Sequence, residues 1–576
     1  MPLNKKIEKW LRDCEKHPVI SSLLLNLCFF AATYSVFTPI YETNDDVVMS
    51  MISAGSGRGG TPSEYLIHIN VLIGLLLKYL NEISNVVPWY GLFMFFSLYL
   101  AFVAVYYIFI KIIGFKKSLA YYSVFFAANC IIILLNIEFT IVSIVVCSAA
   151  YFYFFYVGYL SKTRSPSVLI SLSKYTPVIV LASLSAMIRF NSFLLMTLIC
   201  IPIFFLVFYN SIRLERRNLL STFVGLIVII AIPLGLQSLH TFYYNRGEWK
   251  GVLEHVRLRG EFTDFHIIQS TSKNRPLFDH VGWSENDLKM LNKRFCADTR
   301  IFSLKNLRYV VSNIHQKRTL SFLYPIHCFF DMLHDDRARI LLITTAASLP
   351  LIFLNISELF LILGTMVSIL ASGTYMVVFM KPPPPWVFIG TVFHLSLLSF
   401  FMFSCLRERK KNAKRFQKAK YFLTLASIIL LTVAVVSSIN LSRRRTAFAT
   451  KRNASLENFV KSLPHGGNQL YVIWGPAFPY EYINPLNNLL IFKQLNTIGI
   501  GNFLATPISN RILNKLNIND IYMGLLEKNV FLLVKADSLT CLETYKNYMI
   551  EHYNTLVDYR VLYRFGPYII VKFKKI

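Results

Sequence analysis

Long apolar runs separated by short polar segments make up most of the chain. Each run has about 20 residues, which is the length that an α-helix needs to cross a bilayer. The pattern therefore predicts a polytopic α-helical membrane protein with about eleven transmembrane helices. The predicted spans are residues 19–40, 89–110, 119–135, 141–160, two spans within 175–210 that meet in a tight turn at Arg189, and then 222–240, 339–356, 359–379, 386–405 and 421–439.

The apolar pattern is interrupted by two longer polar stretches, residues 41–87 and 241–318. Within the first stretch, Glu64, His68 and Lys78 interrupt apolar residues at helical spacing from Glu64 to Leu80. That spacing indicates a helix lying at the membrane interface rather than a span. Both stretches are predicted to form loops on the same side of the membrane.

After residue 440 the pattern becomes that of a small α/β domain. Its predicted strands are Leu470–Trp474, Val530–Lys535 and Tyr568–Phe573, and its predicted helix is Glu543–Tyr553. The expected organisation is a transmembrane catalytic domain, residues 1–440 with outer loops 41–87 and 241–318, followed by an extracytoplasmic α/β domain, residues 441–576.

The basic residues predict an orientation. The chain has 59 basic and 31 acidic residues, a formal net charge of +28. Most basic residues lie in short loops between spans, where the positive-inside rule places them in the cytoplasm, and no nucleic-acid partner is expected. The run that begins at Val19 is interpreted as an uncleaved anchor, not a signal peptide, because no small-residue cleavage site follows it. We therefore expect a multi-pass protein of a bacterial inner or plasma membrane, with a cytoplasmic N-terminus and residues 441–576 outside.

Two adjacent carboxylates, Asp45 and Asp46, follow the first span and precede a glycine-rich turn. One of them can act as general base on an acceptor hydroxyl, while its neighbour orients the acceptor or binds a divalent cation. The alternative is a solvated loop, or a cap for the helix that follows. We predict that the rest of the chain builds a membrane-embedded cavity around this loop.

A second candidate region mixes charged and aromatic residues between Trp249 and Asp264. Arg257 and Arg259 suit a phosphate or pyrophosphate, because a guanidinium binds such oxygens bidentately. An exposed amphipathic helix with an Arg257–Glu261 pair is the alternative.

Other charged residues at predicted membrane ends extend the list of candidates. Arg189 and Lys381 could hold a lipid phosphate, or only extend their charges to the interface. A histidine on an interfacial helix, such as His68, is more often structural than catalytic. The further supporting candidates are Glu64, His68, Glu138, Glu261 and Asp264.

The order of these features resembles the GT-C superfamily of polyprenol-phosphate-dependent glycosyltransferases. In this chain the order is one anchor, an outer loop opening with Asn44-Asp45-Asp46, an interfacial helix, a bundle of spans and an outer α/β tail. The resemblance covers the first seven spans best. It implies that the first-loop acid is the catalytic base, which corresponds to Asp45 or Asp46. It also implies that basic residues of later outer loops hold the donor's phosphate, and the matching positions are Arg189, Arg257, Arg259 and Lys381.

The function that this resemblance implies is sugar transfer at the outer face of the membrane. A polyprenyl-phosphate-linked donor would pass its sugar to a glycan, lipid or protein acceptor of the cell envelope. One alternative is a non-catalytic transporter or flippase of lipid-linked saccharides, which would carry charges along several spans. Another is a structural membrane subunit, in which the acid pair would be dispensable. The charges cluster at one membrane face, which favours the enzyme.

Overall fold

The computed structural model describes most of the chain, and everything stated about the structure concerns those residues. They are residues 11–576 except 59, 161–172, 215, 264–273, 315–323, 353–355, 380–382, 410–416, 464–467, 476, 479–482 and 494.

Helices dominate the first 460 residues. In chain order they are α1 (Pro18–Val36), α2 (Asn44–Ala54), α3 (Val71–Ile83), α4 (Trp89–Ile113), α5 (Phe115–Leu134), α6 (Phe139–Leu160), α7 (Thr176–Ile188), α8 (Phe190–Ile199), α9 (Ile201–Leu214), α10 (Arg216–Tyr244), α11 (Val252–Thr263), α12 (Arg275–His280), α13 (Glu285–Asn292), α14 (Leu304–Asn313), α15 (Tyr324–Met332), α16 (Asp336–Ile352), α17 (Ile356–Phe379), α18 (Pro385–Arg409) and α19 (Gln417–Ser462).

Eight helices in the described part of the chain are long and apolar enough to cross a membrane. A ninth span results if α8 and α9, which meet at a bend of 55°, are counted as one. The prediction of a polytopic helical membrane protein is confirmed, but the count of eleven is not. Two predicted spans account for the difference, since α7 has 13 residues and α16, at the span predicted for 339–356, has 17. At about 1.5 Å per residue these helices are about 20 Å and about 26 Å long, shorter than a hydrocarbon core of about 30 Å.

The predicted tight turn within 175–210 is present, since Arg189 separates α7 from α8. A second break at Cys200, which the sequence pattern did not predict, separates α8 from α9.

The predicted interfacial helix from Glu64 to Leu80 is only partly correct. Helix α3 begins at Val71, and the Asn70 side chain caps it by accepting a hydrogen bond from the Leu72 N–H at 3.0 Å. Residues 64–70 are not helical and fold back along α3. A Cβ on Gly74 would lie 1.9 Å from the Glu64 carbonyl oxygen, so this approach requires glycine. His68 is therefore held on irregular backbone, not on a helix.

Two sheets are present among the described residues. A short parallel pair joins β1 (Ile40–Tyr41) to β2 (Asn136–Ile137). The C-terminal sheet has the strand order β4-β3-β5-β7-β6, in which β3 pairs in parallel with β4 and β5, and β7 pairs antiparallel with β5 and β6. Its elements are β3 (Leu470–Trp474), β4 (Asn496–Ile500), α20 (Pro507–Lys515), α21 (Ile521–Gly524), β5 (Val530–Lys535), α22 (Thr540–Tyr553), β6 (Val557–Phe565) and β7 (Tyr568–Lys575).

The prediction of a small C-terminal α/β domain is confirmed, including its three predicted strands and its helix. The sequence analysis missed β4 and β6. Strand β4 has the sequence NTIGI, and its glycine weakens the strand pattern. Most side chains of β6 are exposed, so the alternation typical of a half-buried strand is absent from it.

The helices α11–α14, which belong to the polar stretch 241–318, pack against this sheet. Leu258, Phe262 and Trp283 share one hydrophobic core with Trp474 and Ile498. The Trp474 indole N–H donates to the Lys293 carbonyl at 3.1 Å. We call the assembly of α11–α14 with the C-terminal sheet the sheet domain.

Helix α19 connects the bundle to the sheet domain without a break. It has 46 residues and is therefore about 69 Å long, more than twice the thickness of a hydrocarbon core. The expected domain boundary near residue 440 falls inside this helix. Because the helix continues to Ser462, it joins the two parts as one rigid element.

Candidate active site

The acid pair lies on a helix, and the loop expected there is absent. Helix α2 begins at Asn44, so Asp45 and Asp46 occupy its first turn. Negative side chains are favoured there because the first backbone N–H groups of a helix carry partial positive charge. The helix ends at Gly55, whose φ of +66° is the left-handed conformation in which helices commonly stop at glycine. The glycines thus end α2 and do not form the turn directly after the acids.

Asp46 is fully buried and held from two sides. Its Oδ2 accepts a hydrogen bond from the Thr43 hydroxyl at 2.8 Å, and its Oδ1 accepts one from the Tyr90 hydroxyl at 2.7 Å. Burial raises the pKa of Asp46, and the nearby Glu138 carboxylate raises it further, although the two hydrogen bonds lower it. A carboxyl group with this environment is suited to holding the start of α2 in place.

Asp45 has a different environment one residue earlier. Its side chain is 43% exposed, and its Oδ2 lies 3.7 Å from Nε2 of His68. Because successive helical residues point about 100° apart, the two acids face different directions. Asp45 is the carboxylate of the pair that a molecule from outside can reach.

The parallel pair β1–β2 brings Glu138 close to these acids. Tyr41 pairs with Ile137 in this short sheet, so residue 138 lies beside the beginning of α2. The Glu138 side chain caps α6 by accepting a hydrogen bond from the Ile141 N–H at 2.8 Å. Burial raises the pKa of Glu138, although hydrogen bonds from the start of α6 and the charge of Arg189 lower it. Glu138 therefore completes a group of three neighbouring carboxyls.

Arg189 supplies positive charge to this group. It is partly buried, and its guanidinium lies over the Phe139 ring, 4.8 Å from the ring centroid. Burial lowers the pKa of Arg189, and the charges of Glu138, Asp45 and Asp46 raise it. Arg189 therefore lies close enough to the three carboxyls for their charges to act on it.

His68 connects the acids to the sheet domain. Its ring stacks on Phe139 and meets Phe503 edge to face, and its Nε2 lies 3.3 Å from Nδ2 of Asn502. The Oδ1 of Asn502 in turn accepts a hydrogen bond from Nη2 of Arg259. Asp45, His68, Asn502 and Arg259 thus form one line of polar contacts from α2 to α11.

Strained backbone precedes His68. The His68 N–H donates to the Leu66 carbonyl at 2.7 Å, and Ile67 between them has a φ of +62°. A positive φ is rare for a β-branched residue and costs roughly 1–3 kcal/mol. The Ile67 N–H is held by the Tyr244 hydroxyl at 2.7 Å, which keeps the turn in this conformation. Strain of this kind is common where a functional side chain must be aimed.

The structure separates the arginine pair. Arg259 is 1% exposed and faces Asn502, whereas Arg257 is exposed on another side of α11. Burial raises the pKa of Glu261, and the charge of Arg257 lowers it. This interaction is the one expected if the two residues form an i,i+4 pair on a helix. The two arginines therefore have different surroundings, one buried against Asn502 and the other exposed.

The remaining candidates have other surroundings. Glu64 pairs with Lys78 at 3.0 Å, which ties the segment before α3 to that helix. Asp264 and Lys381 lie outside the described residues.

Several residues near the acids were missed by the sequence analysis. Tyr90 stands at the start of the predicted span 89–110, and Asn502 follows the sequence Gly499-Ile500-Gly501 in the C-terminal domain. No spacing in the sequence connects either residue to the acids, because both contacts depend on tertiary structure.

A second polar cluster, also missed, lies next to β1. Arg337 is 3% exposed and pairs with Glu42 at 2.9 Å and with Asp335 at 2.7 Å. Arg445 of α19 approaches Glu42 at 3.4 Å and donates to Asn136 Oδ1. We call Glu42, Asp335, Arg337 and Arg445 the charged cluster. It joins α16 and α19 to both strands of the β1–β2 pair.

A divalent cation at the acid pair stays a hypothesis. Within the described ranges, the group of three possible metal ligands that lie close together is Asp287, Glu551 and His552, in the sheet domain. There, Oδ1 of Asp287 lies 2.7 Å from Nε2 of His552, which is a hydrogen-bond distance.

Two crystal structures of ArnT from Cupriavidus metallidurans are similar to this chain. The structure bound to undecaprenyl phosphate has a TM-score of 0.39 and 11% sequence identity, and the structure in the apo state has a TM-score of 0.37 and 10% identity. Each comparison covers 96% of this chain and 97% of the other. No protein-family model matches the sequence, and no curated protein matches it. The similarity extends along nearly the whole of both chains.

Proposed function

We propose that the protein is a membrane glycosyltransferase that moves a sugar from a polyprenyl-phosphate-linked donor to an acceptor hydroxyl, with Asp45 as general base. The observation that carries this proposal is the contrast between the two neighbouring acids. Asp45 is 43% exposed beside His68, whereas Asp46 is fully buried between two hydroxyl groups. The order of elements described above, which resembles the GT-C superfamily, supports the same function.

The exposed acid is the better base on physical grounds. A general base must come within hydrogen-bond reach of the hydroxyl that it deprotonates, or reach it through one water. Asp46 has both carboxylate oxygens engaged and no exposed surface. Asp46 is therefore assigned to holding the start of α2, which aims Asp45.

The proposed step conserves atoms and charge. Asp45 takes the proton of the acceptor hydroxyl while the hydroxyl oxygen attacks the anomeric carbon of the donor sugar. The bond between that carbon and the phosphate oxygen breaks, and polyprenyl phosphate leaves with the bonding electrons. Its oxygens gain negative charge, which a guanidinium stabilises by bidentate hydrogen bonds. Arg189 suits this role because it is partly exposed and lies near the acids.

The orientation of the protein is part of the proposal. We infer that the sheet domain and the acid pair lie outside the cytoplasm, in a bacterial inner or plasma membrane. The basic loops between the first spans support this inference. Acceptors on that side of the membrane are envelope glycans, lipids and proteins.

The first prediction tests the base. Asp45→Asn keeps the shape of the side chain and removes its basicity, so transfer of sugar from a polyprenyl-phosphate donor should slow by about 100- to 10,000-fold. Asp46→Asn should leave measurable turnover and act mainly on stability. The measurement is turnover by purified variants whose thermal unfolding has been compared with that of the parent protein.

Glu248→Gln is a suitable control, because it also keeps the shape of the side chain and Glu248 is a well-exposed carboxylate outside the site. Full activity of Asp45→Asn would show that this acid performs no chemistry. A parent protein that moves lipid-linked saccharides across vesicles, and transfers none of their sugar, would favour the transporter instead.

A further inference from the structure

The hydrogen bonds around Asn502 bear on the protonation of His68. An arginine can only donate hydrogen bonds, so the amide atom of Asn502 that faces Arg259 must be the oxygen. The amide nitrogen, which also only donates, is then directed at Nε2 of His68, 3.3 Å away. A nitrogen that accepts this hydrogen bond carries no proton. This arrangement of donors is the one that suits a neutral imidazole with its proton on Nδ1.

This assignment matters for the carboxylate next to His68. The distance from Nε2 of His68 to Oδ2 of Asp45 is 3.7 Å, longer than a hydrogen bond. A protonated Nε2 would point its hydrogen either at the NH₂ group of Asn502, which repels it, or at Asp45, which would form an ion pair. An ion pair with an imidazolium makes a carboxylate a weaker base.

We propose that Asn502, oriented by Arg259, is a positioning residue that keeps His68 neutral and so leaves Asp45 free to act as a base. The sheet domain thereby takes part in the chemistry although it does not touch the reacting atoms. The part of this inference that concerns catalysis rests on the proposed function, whereas the protonation of His68 does not.

Other charges also act on His68. Asp45, with Asp46 and Glu138 behind it, favours the protonated ring, whereas Arg189, over the same Phe139 ring, and Arg259 disfavour it. The charges thus oppose one another, and the directional hydrogen bond from Asn502 selects the neutral form.

The experiment reads the protonation of His68 directly. The protein has 12 histidines, so ¹⁵N-histidine-labelled protein in detergent can be assigned by comparison with His68→Gln. At pH 7 the His68 signals should be those of a neutral ring with the proton on Nδ1. Asn502→Asp replaces the donor with an acceptor, so His68 should become protonated and its titration should move to higher pH.

The same variant has a kinetic consequence. With an imidazolium paired to Asp45, kcat should fall by about tenfold or more, and its pH profile should change, while the KM for the lipid-linked donor stays nearly unchanged. Asn510→Asp makes the same substitution at an exposed position of α20 and should change neither the signals nor kcat. Asn502→Gln retains an amide and should recover part of the activity.

The outcomes are distinguishable. A protonated His68 in the parent protein at pH 7, or a neutral ring with the proton on Nε2, would overturn the inference without requiring any variant to fold. An unchanged His68 titration in folded Asn502→Asp would also overturn it. The expected signals in a protein that has no transferase activity would support the protonation of His68 and refute the proposed function.

Discussion

Asp45 and Asp46 show how neighbouring residues of one type acquire different environments. Burial and the nearby Glu138 raise the pKa of Asp46, although the hydrogen bonds from two hydroxyl groups lower it, whereas Asp45 stays partly exposed beside His68. Separate environments for paired carboxyls are a common way to divide positioning from proton transfer. At this scale the chemistry depends on which side chain solvent can reach.

The raised pKa of Glu138 predicts how stability changes with pH. Because burial raises this pKa above its unfolded value, the folded state binds the proton more tightly, and stability falls as pH rises from about 4.3 towards the folded value. Glu138→Gln cannot titrate, and its amide oxygen can still cap α6. The midpoint of thermal unfolding, measured between pH 5 and pH 8, should therefore fall less steeply in this variant than in the parent.

Glu248→Gln removes the same charge at a well-exposed position and should leave the slope with pH unchanged. Equal slopes for the parent and Glu138→Gln would contradict the buried, raised carboxyl.

At the scale of elements, close backbone approaches aim the site. The segment before α3 folds back onto that helix at Gly74 and then turns through the strained Ile67 to present His68. At the other end of α2, the Gly57 carbonyl accepts hydrogen bonds from both the backbone N–H and the hydroxyl of Thr497, on the edge strand β4. The acid helix is thus attached to the bundle at its start and to the sheet domain after its end.

Gly74→Ala tests the first of these attachments. The new Cβ would lie 1.9 Å from the Glu64 carbonyl oxygen, so the segment that carries His68 must move. We expect a loss of roughly 1–3 kcal/mol of stability, the usual cost of overpacking, together with reduced transfer activity.

Gly235→Ala is the matched control, because Gly235 is also helical and no atom lies within 4 Å of the added Cβ. Its thermal unfolding midpoint should be unchanged or slightly higher. Equal thermal unfolding midpoints for the two variants would argue against the close approach of the Glu64 carbonyl to Gly74.

The charged cluster predicts that two nearby arginines, Arg337 and Arg339, contribute differently to stability. Arg337→Met would leave Glu42 and Asp335 without their shared partner in a mostly buried site, which costs about 3–5 kcal/mol. Arg339→Met, two residues later, removes an exposed pair with Asp336 and should cost at most about 1 kcal/mol. Thermal unfolding in detergent should therefore separate the two variants clearly. If both unfold at the same temperature, the charged cluster does not stabilise the contact between α16 and the β1–β2 pair.

For the whole molecule, the acid pair lies where the bundle and the sheet domain meet. Contacts reach this region from α6, α11, α19 and the strand β4. Helix α19 extends without interruption from the bundle to the sheet domain and connects them rigidly. The proposed orientation therefore places the site and the sheet domain on the same side of the membrane.

Cysteine labelling tests this orientation in a background without the native cysteines. Ser455→Cys lies on the exposed part of α19 beyond the apolar stretch, and Lys116→Cys lies on an exposed basic turn at the start of α5. A reagent that cannot cross the membrane, added outside intact cells, should label the first position only. Labelling of the second position only would place the acid pair in the cytoplasm and exclude transfer to an envelope acceptor.

Patterns along the chain were sufficient to predict the class of fold. Apolar runs of membrane length, the change to strands after residue 440 and the turn at Arg189 depend on local composition, so a sequence pattern can show them. The same holds for Asp45 and Asp46 as candidates, because two adjacent acids after a span are visible without tertiary structure. Their place in the first turn of α2, after the N-cap residue Thr43, is a finding of the structure.

Tertiary structure alone decided which acid is accessible and what surrounds it. Tyr90, Glu138 and Asn502 are distant from Asp45 in sequence, and each is brought to the site by a contact between elements. It also decided that Arg259 faces the site while Arg257 does not, because residues two apart point to different sides of a helix. Long-range packing determines solvent access and hydrogen-bond partners, and those determine whether a carboxylate can act as a base.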